Sequence, residues 1–346
     1  MSLADLLAAT IFVALNAYAL LAGADFGGGV WDLLARGPRK AAQRELIADA
    51  IGPVWEANHV WLILALVLLF TAFPPAFARL GTVLHIPLSL ALIGIVLRGS
   101  AFTFWRYGSG GHGDLAPRRW GMVFAIASLI TPLLLGMTIG AIASGALGDA
   151  ARALGAGAGF SATYVAPWLN PFTASVGLFA LVAFAFLAAV YLPLETRDPA
   201  LQEDFRRRAL GAGLALFPAA GLALLASGPY APRVRDALIF AAWALPLHLL
   251  TAGAAVTALA ALWRRRWRLA RVAAAGQVSL ILWGWALSQY PAIVPPDLTI
   301  AGTAAPAVTL RLALGVLALG AVVLFPSLGY LFRVFKRVEQ RTEGFK

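Results

Sequence analysis

Asn16, Asp25, Glu56, Asn58, His59, His85, Arg98, His248 and Gln289 carry strongly polar or ionisable groups into stretches that are otherwise almost wholly apolar. In hydrocarbon each such group costs a few kcal/mol, so it marks either function or internal pairing. Glu56 and His59 are three residues apart and share a helical face. That sets a carboxylate beside a group of near-neutral pKa, a combination suited to taking up and releasing protons. Structural pairing stays open as the other reading. An acid in a first helical turn is favoured by the helix dipole, and Arg98 could snorkel to headgroups. A haem with two axial ligands would need His or Met at matched depth. His248 has no such partner, since Met122 and Met137 fall at the two ends of one apolar run. His85 and His248 are read as hydrogen-bonded core or interfacial histidines, and His112 as a loop residue without a role.

The elements that must position these groups are nine apolar segments, near 5–26, 54–73, 81–98, 121–147, 171–193, 209–226, 237–262, 272–290 and 308–332. Each meets or approaches the roughly 20 residues that span about 30 Å of hydrocarbon. All but five of the 27 Lys and Arg lie in alternate gaps or in the tail; the exceptions are Arg79, Arg152, Arg233, Arg235 and Arg311. Positive charge resists translocation, so the rich side is expected to be cytoplasmic, the N-terminus outside and the C-terminus inside. With that orientation Asp25 falls at the cytoplasmic end of the first helix. Glu56, Asn58 and His59 follow Pro53 by one or two turns in the same leaflet, and Arg98 reaches that depth on the third helix.

The chain is 61% hydrophobic and 12% charged, with net charge +11 and no cysteine. A soluble domain would average about 25% charged residues. Lack of cysteine removes disulfides, thiolate zinc sites and iron–sulfur clusters. The best basic patch, Arg264–Arg266 with Trp267 and Arg268, flanks a spanning segment as the topology rule predicts, so no nucleic-acid partner is expected. No basic region precedes the first apolar run, which is expected to stay as a helix. The loop 148–170 is glycine-rich and too small for a core. The run Gly108–Gly113 lacks the Lys-Ser/Thr of a phosphate cradle and reads as a turn; Gly27–Gly29 suits close helix packing. Trp31, Trp55, Trp120, Trp243, Trp267 and Tyr290 read as interface anchors.

Two blocks carry a specific resemblance: Gly23-Ala24-Asp25-Phe26-Gly27-Gly28-Gly29, and Ile51-Gly52-Pro53-Val54-Trp55-Glu56-Ala57-Asn58-His59-Val60-Trp61-Leu62. Further matches are Leu97–Phe102, Leu169-Asn170-Pro171-Phe172, Tyr290-Pro291 with Val294–Thr299, and Pro326-Ser327-Leu328 leading into Tyr330–Lys336. Over essentially its whole length the chain resembles subunit II of cytochrome bd-type quinol oxidases, with later motifs similar to the cyanide-insensitive branch.

The resemblance implies an all-α polytopic membrane protein of nine helices: two four-helix bundles (1–147 and 171–290), a peripheral ninth helix (308–332) and a basic cytoplasmic tail (333–346). It implies a bacterial inner-membrane location and a partner, subunit I, that carries the b and d haems, oxidises quinol and reduces oxygen to water. It further implies that this chain binds no haem or metal and can hold a structural quinone or lipid. A small accessory subunit can join the assembly. Glu56 and Asp25 match the family's acidic positions, so with His59 they are expected on a proton-uptake path, supported by Arg98, Asn58 and Trp55. Leu21 or Ala22 stands where some relatives carry another acid, which shortens any acidic path. A proton-coupled transporter and a purely architectural subunit remain the alternatives.

Overall fold

Apolar runs too long for anything but spanning helices are cut by prolines and glycines, and those cuts set the architecture. A computed structural model describes residues 2–52, 55–107 and 115–342, with side chains for all but 57, 106, 107, 115–118, 325, 328, 329 and 331–342. Pro53, the Gly108–Gly113 run with His112, and tail residues 343–346 lie outside the described residues.

The first bundle contains α1 (Leu3–Leu33), the surface helix α2 (Lys40–Ile51), α3 (Trp55–Ala72), α4 (Pro74–Val83), α5 (His85–Tyr107) and α6 (Leu115–Ser144). Short helices α7 (Ala146–Gly155) and α8 (Phe160–Tyr164) lead to α9 (Pro171–Tyr191), which a 3-10 turn (Leu192–Leu194) follows. Next come α10 (Pro199–Tyr230), α11 (Pro232–Phe240), α12 (Ala244–Trp263) and α13 (Trp267–Gln289). Two short antiparallel strands, β1 (Ala292–Val294) and β2 (Leu298–Thr299), precede α14 (Ile300–Thr303) and α15 (Ala307–Thr342). Among the described residues eight helices are long and apolar enough to cross a membrane, or nine if the pair Asn58–Ala72 and Pro74–Val83, bent by 117°, is one span. The all-α polytopic expectation holds.

Several local expectations change. Helix α1 does not stop at 26 but runs to Leu33, so Asp25 sits about 12 Å inside its end at 1.5 Å per residue. His85 opens α5 rather than lying one turn into a helix, because the chain turns at Leu84. The 148–170 loop is largely helical. Its Ala150 and Trp168, with Leu147 just before it, are buried in the first bundle's core, so the apolar face of α7 docks there. The strands around the prolines were not foreseen.

Helix α1 packs on α3, α6 and α9, while α9 also packs on α6 and α10, so the two halves meet along α1, α6 and α9. That contact needs missing side chains. A Cβ on Gly27 would overlap the Phe184 backbone carbonyl of α9, and one on Gly136 of α6 would stand 2.7 Å from Gly177 Cα of α9. Small residues allow such approach, and dispersion then holds the helices in a medium as apolar as their side chains. Only 6% of the α15 span window is buried, against 56% for α6 and for α9, which makes α15 peripheral.

Candidate functional site

Four helices converge on Asp25. Its carboxylate is buried on α1, and Asn58 of α3 donates from Nδ2 to Oδ2 at 2.5 Å. Arg98 of α5 is 1% exposed and turned into the bundle, so it does not snorkel. Its Nε donates to Ser128 Oγ of α6 at 3.1 Å, and the Ser128 hydroxyl donates in turn to the Phe124 carbonyl at 2.7 Å. The guanidinium lies between two rings, 4.9 Å from the Phe26 centroid and 5.1 Å from that of Phe124. Cation–π contacts are worth about 2 kcal/mol or more when desolvated, which offsets part of the cost of keeping a cation here. The charge of Arg98 acts on Asp25, Tyr18 and His59, so these groups form one electrostatic unit.

His59 is half-buried, with its ring 5.7 Å from Tyr18, 6.2 Å from Phe26 and 6.4 Å from Trp55. Trp55 is part of this packing, also meeting Phe102 at 6.3 Å, and Trp31 donates inward to the Ala185 carbonyl at 2.7 Å. Among the described residues, His59 Nδ1, Tyr18 Oη, Arg98 Nη2 and Thr131 Oγ1 are buried without a protein partner.

Glu56 stands apart from this unit. It is exposed on α3, because at 100° per residue it points about 200° away from Asn58 while lying about 60° from His59. The expected single sheltered layer is therefore two places: an interior unit of Asp25, Asn58 and Arg98, and an outward carboxylate, with His59 between them. Glu56 heads an exposed apolar stripe of Val60, Ile63, Val67 and Phe70 on the same helix.

The other polar residues are distributed elsewhere. His85 Nδ1 lies 2.9 Å from the Thr82 carbonyl and His248 Nδ1 2.6 Å from that of Ala244, so each is tied to its own chain segment. Asn16 donates to Ser279 of α13 at 3.2 Å. Sequence reading missed Tyr18, Ser128 and Asp32. Tyr18, Asp25 and Asp32 recur every seven residues on one face of α1, a spacing that could have exposed them had the first segment not been ended at 26. Asp32 is 3% exposed and takes Arg44 of α2 through Nε at 2.7 Å and Nη2 at 3.0 Å. Ser128 gives no comparable signal, since one hydroxyl in an apolar run is unremarked by pattern.

Fold and site together define a polytopic helical membrane protein with a buried carboxylate–amide–guanidinium unit near one end of its first bundle. The family model described as cytochrome bd terminal oxidase subunit II matches residues 3–335, and the chain belongs to that family. It is 32% identical over 136 residues to the cytochrome bd ubiquinol oxidase subunit 2 of Bacillus subtilis (strain 168), an alignment covering 39% of each chain. Against the cytochrome bd-I ubiquinol oxidase subunit 2 of Escherichia coli (strain K12) it is 26% identical over 137 residues, covering 38% of this chain and 34% of the relative. These alignments thus span well under half the length of the relatives. A chain in the structure of bd oxidase from Geobacillus thermodenitrificans superposes with a TM-score of 0.77 at 23% identity, over 97% of this chain and 99% of that one. That likeness speaks for the fold.

Proposed function

We propose that this chain is the haem-free subunit of a membrane quinol oxidase, standing beside a haem-bearing subunit I and conducting protons from the cytoplasm toward the site of oxygen reduction. Reducing oxygen inside a bilayer demands compensating protons that hydrocarbon does not hold. The observation that carries the reading is the Asp25–Asn58 pair buried beside Arg98, with Glu56 exposed at the same end. Glu56 would collect protons at the subunit boundary, and His59, about 60° round the same helix, would connect it with the interior. Buried polar atoms such as Tyr18 Oη and His59 Nδ1 are ordinarily met by ordered water, which a relay requires.

The haems and the quinol site belong in this reading to subunit I. A structural quinone or lipid and a small accessory subunit are compatible with the large exposed apolar faces of α10, α12 and α15. Charge asymmetry supports an inner-membrane orientation with the C-terminus cytoplasmic. The test is quinol-driven oxygen consumption by the complex carrying Glu56→Gln or Asp25→Asn. Turnover should fall by about tenfold or more while the partner's haem spectra stay intact. Unchanged turnover at matched expression removes these carboxylates from the path and leaves an architectural subunit, a reading the pairing of Asp25 with Asn58 also accommodates.

A further inference from the structure

Tyr18, Ala22 and Phe26 follow one another at four-residue spacing along one side of α1, two aromatic rings with only a methyl group between them. All three are buried, Tyr18 at 5% exposure. Side chains from two other helices reach this side. Arg98 of α5 sets its guanidinium 4.9 Å from the Phe26 centroid, and His59 of α3 sets its imidazole 5.7 Å from the Tyr18 ring and 6.2 Å from that of Phe26. The charges of Arg98 and Asp25 both act on Tyr18. Among the described residues, Tyr18 Oη, His59 Nδ1 and Arg98 Nη2 each lack a protein partner although all three are buried. A packing role would need only a phenylalanine ring at this position, so the buried hydroxyl calls for another reason.

Buried polar atoms of this kind are met by ordered water, and one arrangement meets all three. A guanidinium only donates, while a phenol both donates and accepts. A water on Asp25 can receive N–H from Arg98 and O–H from Tyr18, and give a hydrogen of its own to the carboxylate. The phenol oxygen then keeps a lone pair for the N–H of His59, reached directly or across a second water. This chain runs from imidazole to phenol to water to carboxylate, in the direction of uptake from Glu56.

The same chain moves a proton without leaving charge on the way. An imidazolium at His59 gives its Nδ1 proton to Oη as the phenol proton passes through the water to Asp25. The phenol ends neutral, as it began, and the net change is one proton moved from imidazolium to carboxylate. A free hydronium in this place would be repelled by the guanidinium of Arg98. We infer that the Tyr18 hydroxyl is the proton-carrying link between His59 and Asp25. The inference rests on the proton-uptake reading of this site and adds a residue to it.

The test is Tyr18→Phe in the complex purified with the subunits that accompany this chain, beside Asp25→Asn and Glu56→Gln. Phenylalanine keeps the ring contact with His59 and removes only the hydroxyl. Quinol-driven oxygen consumption should fall by about tenfold or more, and its solvent deuterium isotope effect should rise as proton transfer becomes limiting. Thermal unfolding and the partner's haem spectra should match the wild type. A cryo-EM map of the wild-type complex that resolves ordered water should show one within hydrogen-bond reach of both Tyr18 Oη and Asp25. Wild-type turnover in Tyr18→Phe while the two carboxylate variants are slow overturns the link and leaves the proton reading standing. Wild-type turnover in all three removes both. Slower turnover with an unchanged isotope effect, or a map with ordered water elsewhere and none at Oη, overturns the link as well.

Discussion

Asn58 donates to the Asp25 carboxylate at 2.5 Å across the α1–α3 contact, whereas Glu56, on the same helix and only two residues earlier, is exposed. A helix turns about 200° between such positions, so one short motif supplies both an interior partner for Asp25 and a carboxylate on the outer face of the chain. Interior and surface roles within the motif can therefore be separated by mutation.

Asn58→Leu should destabilise the protein by about 1–3 kcal/mol, because it removes the donor from a buried acceptor. Asp25→Asn should cost more, because it leaves the buried Arg98 cation without its counter-charge. Thermal unfolding of the two variants in one detergent checks the order. No measurable effect for Asn58→Leu would mean that Asp25 does not rely on the amide.

Arg98→Met should cost about 3–5 kcal/mol, the range for leaving one buried charge uncompensated. Adding Asp25→Asn to it should recover part of that loss, giving a coupling energy of about 0.5–3 kcal/mol in a double-mutant cycle. Additive effects would show that Arg98 is held by Ser128, Phe26 and Phe124 alone. Arg98→Lys should not rescue, since a compact ammonium neither stacks between two rings nor keeps the fork geometry.

Gly136→Val should lower stability by at least about 1–3 kcal/mol, the usual cost of overpacking, because even a Cβ would stand 2.7 Å from the Gly177 Cα. Gly276, which would meet nothing within 4 Å, is the control, and Gly276→Ala should be neutral or slightly stabilising through its helix propensity. Comparing the two melting temperatures tests whether the α6–α9 approach holds the halves together.

Asp204→Asn should loosen α2 and leave the spanning helices intact. The carboxylate receives Arg39 Nε at 2.8 Å, Arg39 Nη2 at 2.6 Å and Gln43 Nε2 at 2.8 Å, tying α2 to α10. Asp204 in turn holds the exposed Arg39 guanidinium above its ordinary pKa, by hydrogen bonding first and charge second, so the pair stays ionised throughout the neutral range. Faster amide exchange over residues 40–51, reproduced in the wild type by high salt, is the expected result, since exposed pairs are screened within about a Debye length. Unchanged exchange would show that the buried Leu46, Ile47 and Ile51 suffice to seat the helix.

The family and the helical membrane architecture were legible in the linear chain. Apolar length is a one-dimensional quantity, and a bilayer turns it directly into spans. The motif around Glu56 and Asn58 also led to helices α1, α3 and α5, whose Asp25, Asn58 and Arg98 meet in the structure. What stayed hidden depended on the direction in which side chains point. Whether Arg98 snorkels or turns inward is decided by Phe26, Phe124 and Ser128, which come from two other helices. That Glu56 and Asn58 part company is decided by which face of α3 meets α1. The stop of α1 at Leu33, the bend of 117° after Ala72 and the docking of α7 were likewise set by neighbours. Hydropathy measures what a segment will dissolve in, and only packing chooses what each of its residues touches.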